Sequence, residues 1–470
     1  MYNLPLFTFS SYLYKNKLLK KIASFFSTSI MNFVVRLYVG MNTETKKIVN
    51  PLTKPLKGVI NIPPDKSISH RAAIFSALVK EPILINNFSS GGDCKSTLNV
   101  LQQLGVEVNF QSEKNLIISN KKGFKQPSNI LDAGNSGTTI RLMSGVLAGS
   151  SITSTLTGDE SLQKRPMARI IKPLKQMGAD IKAENNDTTA PITIKGSQLN
   201  GIIYNSPVAS AQVKSCILLA GLHAEGKTVL KEPYTSRDHT ERLLSYLGAN
   251  IKTEDNKVQI QKSQLNSKPI SIPGDISSAA FFLVAACIVP GSEIIVRDVG
   301  LNPTRTGIID VLKQMNANIE ILNKRTECNE EIGDVKVSYS DLKSINIGKD
   351  MIPGIIDELP IIAVAATQAT GTTIAREAEE LRHKESDRIK AICTELKKLG
   401  ADIEEAIDGF IIHGKTQLRG NCVLETYHDH RIAMCGYVAG LIALKPIQIN
   451  EFQWVNISFP EFTQVFEKLS

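Results

Sequence analysis

Basic residues recur at predicted helix starts, where positive charge is locally unfavourable. The segment DKSISHR, which begins at Asp65, places Lys66 and Ser67 at such a start and Arg71 one turn after Ser67. Helix N-termini present free N–H groups and a partial positive charge, so they attract anions rather than cations. Residues that break a local rule tend to serve function. The segment therefore predicts a phosphate site, with a capped helix and solvated charges as the alternative.

Other segments between a predicted strand and the next helix share this polar, basic character. They are GNSGTTIR from Gly134, GDESLQKRP from Gly158, SRDHTER from Ser236, NPTRTG from Asn302, RHKESDR from Arg382 and DHR from Asp429. In RHKESDR, Lys384 and Arg388 are predicted to lie four apart on a helix and to repel each other unless an anion or a carboxylate lies between them. A surface helix laced by ion pairs is the alternative.

Seven cations from these segments could meet if two lobes faced each other across a cleft. They are Lys66, Arg71, Arg165, Arg237, Lys384, Arg388 and Arg431. Such convergence predicts a small ligand with several negative charges. Asp357 and Glu358 stand at the head of the apolar segment MIPGIIDELPIIAVAA, where acids suit the helix dipole. An acid beside so many cations is also where a general base is expected.

Composition argues against a nucleic-acid partner. The formal charge is +8, but five of these charges belong to Lys15, Lys17, Lys20, Lys21 and Arg36, which leaves +3 for the rest of the chain. Aromatic residues make up 6%, with one tryptophan, whereas proteins that bind single strands need aromatic platforms along a basic face. The seven cysteines are scattered and never at metal-ligand spacing, so we expect a reducing, cytoplasmic location and no metal site.

The first 43 residues differ from the rest because they contain no acid and are rich in Phe, Ser and Tyr. An acid-poor, basic, Ser-containing leader is typical of a transit peptide, which would place the protein in an organelle. A start assigned too far upstream, with Met31 or Met41 as the true beginning, is the alternative that we favour. An apolar run of about 20 residues, which a membrane span requires, does not occur in the sequence.

A sequence motif that joins an amphipathic helix to a strand recurs along the chain. Its copies are VLQQLGVEV, PLKQMGADI, LLSYLGANI, VLKQMNANI and ELKKLGADI, and each turns at a Gly or Asn: Gly105, Gly178, Gly248, Asn316 and Gly400. These residue types tolerate the left-handed conformation at a helix C-terminus. One more period reaches the end of the chain, so we predict six units.

A longer duplication relates INIPPDKSISHRAAIFSALV, from Ile60, to ISIPGDISSAAFFLVAACIV, from Ile270. This indicates two similar halves rather than a solenoid, whose repeats are usually shorter. We predict a first domain of residues 44–62 plus 268–470, a second domain of residues 63–267 and an active site in the cleft between them. The crossings between domains are expected near Ile62 and Ser267.

Nine ordered motifs resemble those of the 5-enolpyruvylshikimate-3-phosphate synthases. They are DKSISHR, LDAGNSGTTIRL, TGDESLQKRPM, SPVASAQVKSCILLAGL, SRDHTE, IDELPIIAVAA, ELRHKESDR, DHRIAM and SFPEF. The resemblance covers residues 54–470. It implies an α/β fold of two similar domains, each built from three βαβαββ repeats as an inside-out α/β barrel, with helices buried and sheets outside.

The resemblance also implies roles for single residues. For shikimate-3-phosphate it implies binding by Lys66, Ser67, Arg71, Ser210, Gln212, Arg237, Asp357 and Lys384. For phosphoenolpyruvate it implies binding by Lys66, Asn135, Gly137, Arg165, Gln212, Arg388 and Arg431. Asp357, Glu385, Lys384 and Lys66 are the implied catalytic residues. No metal or organic cofactor is expected, and the protein is expected to be a monomer.

The implied reaction transfers the enolpyruvyl group of phosphoenolpyruvate to the 5-hydroxyl of shikimate-3-phosphate and releases phosphate. It serves the biosynthesis of chorismate and the aromatic amino acids. The cell-wall enolpyruvyl transferase that acts on UDP-N-acetylglucosamine is an alternative, but its motif has Lys followed by Asn where this chain has Lys66 and Ser67. A basic nucleic-acid-binding protein is the alternative from another class.

Overall fold

Six small β-sheets surround buried helices in the computed structural model, which describes residues 46–470. The predicted leader, residues 1–43, lies outside the described residues. The strands are β1 (Lys46–Val49), β2 (Lys57–Ile60), β3 (Ile83–Asn86), β4 (Glu107–Phe110), β5 (Leu116–Ser119), β6 (Leu131–Asp132), β7 (Thr153–Thr157), β8 (Asp180–Ala183), β9 (Thr189–Lys195), β10 (Ile203–Asn205), β11 (Lys227–Lys231), β12 (Ile251–Glu254), β13 (Lys257–Gln261), β14 (Ile270–Ser271), β15 (Glu293–Gly300), β16 (Asn318–Glu327), β17 (Glu330–Ser338), β18 (Asn346–Ile347), β19 (Gly371–Ala375), β20 (Asp402–Ala406), β21 (Gly409–Gly414), β22 (Val423–Leu424) and β23 (Ile447–Asn450).

The helices of the described region are twelve longer ones and a few single turns. The longer ones are α1 (Lys66–Ser76), α2 (Gly92–Gln103), α3 (Gly137–Ala148), α4 (Ala168–Gln176), α5 (Ala211–Gly221), α6 (His239–Tyr246), α7 (Ile276–Ile288), α8 (Gly307–Gln314), α9 (Leu359–Thr367), α10 (Arg388–Lys398), α11 (His430–Gly440) and α12 (Phe462–Glu467). Short turns lie at Glu160–Gln163, Glu184–Asp187, Ile352–Ile355, Glu379–His383 and Phe452–Ile457.

The sheets repeat one pairing scheme. Five have four strands, of which the first two are parallel while the third and fourth join antiparallel: β14-β3-β5-β4, β6-β7-β9-β8, β10-β11-β13-β12, β2-β15-β17-β16 and β18-β19-β21-β20. The sixth, β22-β23-β1, takes its third strand from the start of the described chain. The predicted six units are therefore confirmed.

Two hydrophobic cores lie inside these sheets. The core of residues 49–62 together with 276–469 defines what we call the first lobe. The core of residues between 68 and 272 defines the second lobe. Helices α7 and α9 are apolar on every face, as ISSAAFFLVAACI and LPIIAVAAT require, and all their residues are buried. The strands alternate between buried and exposed residues, so the sheets lie outside the helices.

The helix ends have the predicted conformation. Gly105, Gly178, Gly248 and Gly400 have φ angles between 87° and 93°, and Asn316 has a φ angle of 72°. This left-handed geometry stops each helix and turns the chain toward the next strand. The prediction that the repeated motif ends each helix at a left-handed Gly or Asn is therefore confirmed.

The two crossings between lobes lie side by side. The backbone N–H of Asp65 donates to the carbonyl of Pro273 at 2.8 Å, and that of Asp275 donates to the carbonyl of Pro63 at 2.9 Å. Strand β14 still pairs with β3 of the second lobe, so the chain leaves that lobe after Ser271. No helix within residues 46–470 has the length and apolar character to cross a membrane.

Candidate active site

The first helices of the six units share one kind of N-terminus. Polar residues precede these helices, and four of them cap their helix with a side-chain oxygen: Asp65 on α1, Ser136 on α3, Asp275 on α7 and Asp429 on α11. Ser210 and Glu358 hold the same position before α5 and α9. Because helix N-termini carry partial positive charge, each of these six starts favours an anionic ligand before any side chain is counted.

Side-chain contacts connect neighbouring helix starts. Gln212 on α5 donates to Thr138 on α3 at 3.0 Å. In the first lobe, Ser277 on α7 donates to Glu358. Arg431 on α11 donates to the carbonyl of Asp357 at 2.8 Å. The helix starts of each lobe therefore form one polar surface.

Asp357 joins the two lobes. Its Oδ2 lies 2.5 Å from Nη2 of Arg237 in the second lobe, and its Oδ1 lies 3.4 Å from Arg388 and 3.9 Å from Lys384. Burial would raise the pKa of Asp357, but Arg237, Lys384 and Arg431 outweigh it and hold that pKa well below its usual value. The group is a carboxylate at neutral pH.

Lys384 and Arg388 do not lie on one helix, contrary to the prediction. Lys384 follows the short turn Glu379–His383, and α10 begins at Arg388 with Asp387 as its cap. The side-chain oxygen of Asp387 accepts from the N–H of Lys390, so the helix cannot extend backwards with the same geometry. The predicted carboxylate between the two cations is present nonetheless, since Asp357 contacts both.

Arg388 is the most enclosed cation of the cleft. Its side chain is 2% exposed and donates to Asp429 at 2.8 Å and to Glu385 at 2.6 Å. Burial favours the neutral form, yet Asp429, Glu385 and Asp357 raise the pKa of Arg388. Three acids thus hold one guanidinium in a fixed position.

Cations of both lobes lower the pKa of Glu385. Burial would raise the pKa of Glu385, but Arg388, His430, Lys66 and Arg165 together lower it below its usual value. Lys66 and Arg165 belong to the second lobe, so the predicted catalytic acid lies where both lobes act on it. His430, one of the groups that lower this pKa, is itself buried, and burial lowers the pKa of His430 to about 4.

Lys66 is paired within its own lobe. Its Nζ lies 3.1 Å from Oδ2 of Asp93 at the start of α2. Burial would lower the pKa of Lys66, but Asp93 and Glu385 raise it. The ammonium group is therefore charged and faces the same cleft as Glu385.

Arg165, Asn135 and Gly137 lie together. Nη2 of Arg165 donates to Oδ1 of Asn135 at 2.7 Å. A Cβ at Gly137 would lie 2.9 Å from Nη1 of Arg141 and 3.4 Å from Nη1 of Arg165. Arg141 also donates to Oε1 of Gln212 at 2.5 Å. A side chain at residue 137 would therefore press on the guanidinium of Arg141, while it would only contact that of Arg165.

Ser67, Arg71 and Ser210 lie on the second-lobe side. Arg71 donates to the carbonyl of Ser67 at 2.9 Å, to Thr240 at 2.7 Å and to Ser215 at 2.8 Å. Burial lowers the pKa of Arg71 to about 10. Ser67 and Ser210 are only half-buried.

Sequence reasoning did not select several residues that contact the site. Asp93 pairs with Lys66, Arg141 pairs with Gln212, and His430 lies 4.0 Å from Asp429. Arg141 and His430 stand inside quoted motifs, which was an available signal. Asp93 follows two glycines at a helix start and carries no comparable signal. Within residues 46–470, no group of three or more His, Cys, Asp or Glu side chains could hold a metal ion.

Comparison with known proteins agrees with this geometry. The sequence profile of the family described as EPSP synthase (3-phosphoshikimate 1-carboxyvinyltransferase) matches residues 52–466. A Petrotoga mobilis protein named 3-phosphoshikimate 1-carboxyvinyltransferase is 52% identical over 422 residues, which are 89% of this chain and 98% of that protein. The Bacillus pumilus protein of the same name is 52% identical over 88% of this chain and 98% of its own length.

A solved structure shows the same fold. The EPSP synthase of Acinetobacter baumannii superposes with a TM-score of 0.83 at 42% sequence identity, covering 90% of this chain and 98% of the other. Identity at this level over nearly complete chains extends to the lobes that build the cleft. The chain belongs to the EPSP synthase family.

Proposed function

We propose that the cleft transfers the enolpyruvyl group of phosphoenolpyruvate to the 5-hydroxyl of shikimate-3-phosphate and releases phosphate. This reaction belongs to the shikimate pathway, which leads through chorismate to the aromatic amino acids. Family membership supports the reaction. The observation that carries its placement is the meeting of cations from both lobes on Asp357 and Glu385.

Shikimate-3-phosphate occupies the second-lobe side. Ser67, Arg71, Ser210, Gln212 and Arg237 supply hydroxyl, amide and guanidinium donors for its phosphate and ring oxygens. Arg237 is half-buried and already bound to an acid, so it suits a bidentate contact with phosphate. Asp357, Lys384 and Lys66 complete the pocket from its edges.

Phosphoenolpyruvate occupies the adjoining space between Arg165 and the first lobe. Lys66, Arg165, Arg388 and Arg431 are the cations for its phosphate and carboxylate. Asn135 and Gly137 line this space, and Gln212 lies between the two substrates. A Cβ at Gly137 would fill the space beside the guanidinium groups of Arg141 and Arg165. Because glycine has no Cβ, the ligand can approach the backbone closely there.

The reaction is an addition followed by an elimination, and each step moves protons. The 5-hydroxyl loses a proton as its oxygen attacks the central carbon of the enolpyruvate, and the methylene carbon gains one. The adduct then expels phosphate, and its methyl group returns a proton. Asp357 accepts the hydroxyl proton, and Lys384, Lys66 and Glu385 serve the carbon and the departing phosphate.

Substrate binding changes the basicity of these acids. In the free cleft, cations lower the pKa values of Asp357 and Glu385. Two bound phospho-substrates take over those cations and add negative charge, which raises both pKa values. Each acid therefore becomes a better proton acceptor only after the substrates are in place.

The rival functions fit the cleft less well. An enzyme that takes UDP-N-acetylglucosamine is disfavoured by Ser67, which replaces an asparagine, and by the lack of a matching loop cysteine in the sequence. A nucleic-acid-binding protein needs a continuous basic face. The cations here are instead half-buried or buried and paired with acids in one cleft.

The sequence-based domain division requires one adjustment. Because β14 pairs with β3, we place the second crossing after Ser271 rather than at Ser267, and keep the first near Ile62. The second domain then spans residues 63–271, and residues 44–62 join the remainder. A monomer and a cytoplasmic location remain our predictions.

Phosphate release from phosphoenolpyruvate tests the proposed function. We expect release that depends on shikimate-3-phosphate, with an enolpyruvyl ether as the other product. UDP-N-acetylglucosamine in its place should give no release above background. Release with the nucleotide sugar alone, or with neither acceptor, would overturn the proposal.

A further inference from the structure

Lys214 is a buried cation of the second lobe that has no part in the proposed chemistry. Its side chain is 1% exposed, and its Nζ lies 3.0 Å from Oε2 of Glu232 and 2.7 Å from Oε1 of Glu241. It also donates to the carbonyl of Ser236 at 3.1 Å. A well-packed apolar residue is often at least as stabilising as a buried ion pair, so packing alone does not explain this lysine.

Glu232 connects Lys214 to two backbone positions. It follows β11 and is 2% exposed. Its Oε1 accepts from the N–H of Ser210 at 3.0 Å and from the hydroxyl of Ser236 at 2.7 Å. Its Oε2 accepts from the N–H of Ser236 at 3.3 Å. One carboxylate thus holds the start of α5 and the bend before α6.

These two positions carry the proposed shikimate-3-phosphate contacts. Ser210 is itself one of these contacts, and Ser236 directly precedes Arg237. Lys214 lies one turn along α5 from Ser210, since its N–H donates to the carbonyl of Ser210 at 2.9 Å. The residues around Arg165 and Gly137 come from other loops and do not contact Glu232.

We propose that Lys214 and Glu232 are positioning residues that set the shikimate-3-phosphate half of the cleft. Lys214 fixes the carboxylate of Glu232, and that carboxylate fixes Ser210 and the Ser236–Arg237 bend. Neither residue touches substrate. The inference rests on the proposed function and predicts which of the two substrates responds to a change at this pair.

Glu232→Gln is the variant of choice, because it keeps the pair of Lys214 with Glu241. Lys214→Met would leave two buried carboxylates without their cation and could prevent folding. In Glu232→Gln, the amide NH₂ must face either the Lys214 ammonium or the Ser210 N–H. Each orientation sets a donor against a donor, so one of the two contacts is lost.

A buried glutamate of the first lobe gives a matched control. Glu395 is 4% exposed, lies 2.9 Å from Lys398 and accepts from the N–H of Glu425 at 3.0 Å. It makes the same kinds of contact as Glu232, although its own contacts lie in the first lobe. Glu395→Gln therefore reports what the loss of such a carboxylate does to stability alone.

Steady-state phosphate release gives separate KM values for the two substrates. For Glu232→Gln we expect the KM of shikimate-3-phosphate to rise at least about tenfold, the cost of a lost buried charged hydrogen bond. The KM of phosphoenolpyruvate should change less than about twofold, a difference well under one kcal/mol. Calorimetric titration of shikimate-3-phosphate should show the same weakening, and Glu395→Gln should leave both KM values unchanged.

Two results for Glu232→Gln would overturn the inference. They are an unchanged KM for shikimate-3-phosphate and equal rises in KM for both substrates. Should Glu232→Gln fail to fold, Glu232→Asp keeps the charge but shortens the reach, and it should raise the same KM. Wild-type protein that releases no phosphate with shikimate-3-phosphate would instead overturn the proposed function, and the inference with it.

Discussion

Acids and cations neutralise each other in the free cleft. Asp357 contacts Arg237 from the other lobe, and Arg388 is shared by Asp429 and Glu385. Phosphate groups compete for the same guanidinium groups, because a bidentate arginine contact suits phosphate as well as carboxylate. The proposed catalytic role of each acid therefore depends on what its cation partners bind.

Asp357→Asn tests the proton acceptor. The amide keeps the size of the side chain and its contact with Lys384, but it cannot accept the hydroxyl proton. We expect kcat to fall about 10²- to 10⁴-fold, the usual contribution of general base catalysis, while both substrates still bind. Single-turnover phosphate release measures this. Asp350→Asn, an exposed control nearby, should be fully active, and an unaffected rate for Asp357→Asn would exclude the role.

Gly137→Ala tests the phosphoenolpyruvate side. The added Cβ would lie 2.9 Å from the guanidinium of Arg141, which must shift, and 3.4 Å from that of Arg165. We expect the KM of phosphoenolpyruvate to rise about tenfold and that of shikimate-3-phosphate to change much less. Gly348→Ala is the control, since a Cβ there meets nothing within 4 Å. Equal KM changes for both substrates would count against this placement.

At the scale of elements, local sequence patterns predicted the helix ends and the number of units. A helix that must stop at a fixed place needs a left-handed residue, and Gly or Asn supplies one at each predicted turn. The predicted helix that joins Lys384 and Arg388 was wrong. Its side-chain spacing fitted a helix, but the Asp387 cap starts α10 later.

Asn316→Ala tests the helix-end rule. Asn316 has a φ angle of 72° where the corresponding positions have glycine. Alanine in the left-handed conformation costs about 1 kcal/mol, so the free energy of unfolding should fall by that amount. Asn316→Gly should be within about 0.5 kcal/mol of wild type, because glycine has no Cβ to clash. Urea unfolding measures both, and equal destabilisation of the two variants would contradict the rule.

At the scale of the whole molecule, the contacts that make the site cross large distances in sequence. Arg237 and Asp357 are 120 residues apart, and Lys66 acts on Glu385 from the opposite lobe. Spacing along the chain could predict that cations meet at a cleft, but not which acid each one binds. Family resemblance named most of these residues, whereas Asp93 appears only when the helices are packed.

Two buried histidines make stability depend on pH. Burial lowers the pKa of His70 to about 3 and that of His430 to about 4, from 6.5. The unfolded chain therefore binds more protons between these values, and stability falls as pH drops below 6.5. Each histidine adds a slope of up to about 1.4 kcal/mol per pH unit.

His70→Asn and His430→Asn should each reduce that slope between about pH 5 and 6.5, where most carboxylates do not yet titrate. His428→Asn is the control, because that side chain is 66% exposed. Urea unfolding at several pH values measures the slope. A slope that stays unchanged in both buried-site variants would contradict the assignment.

Loops from both lobes are proposed to bind two phospho-substrates in one cleft. A crystal structure of Asp357→Asn with shikimate-3-phosphate and phosphoenolpyruvate tests this binding most directly, because slow turnover preserves the substrates. We predict density for shikimate-3-phosphate against Ser67, Ser210 and Arg237, and density for phosphoenolpyruvate between Arg165 and Arg431. Either substrate bound at an outer surface, with these cations still paired to their acids, would contradict the account.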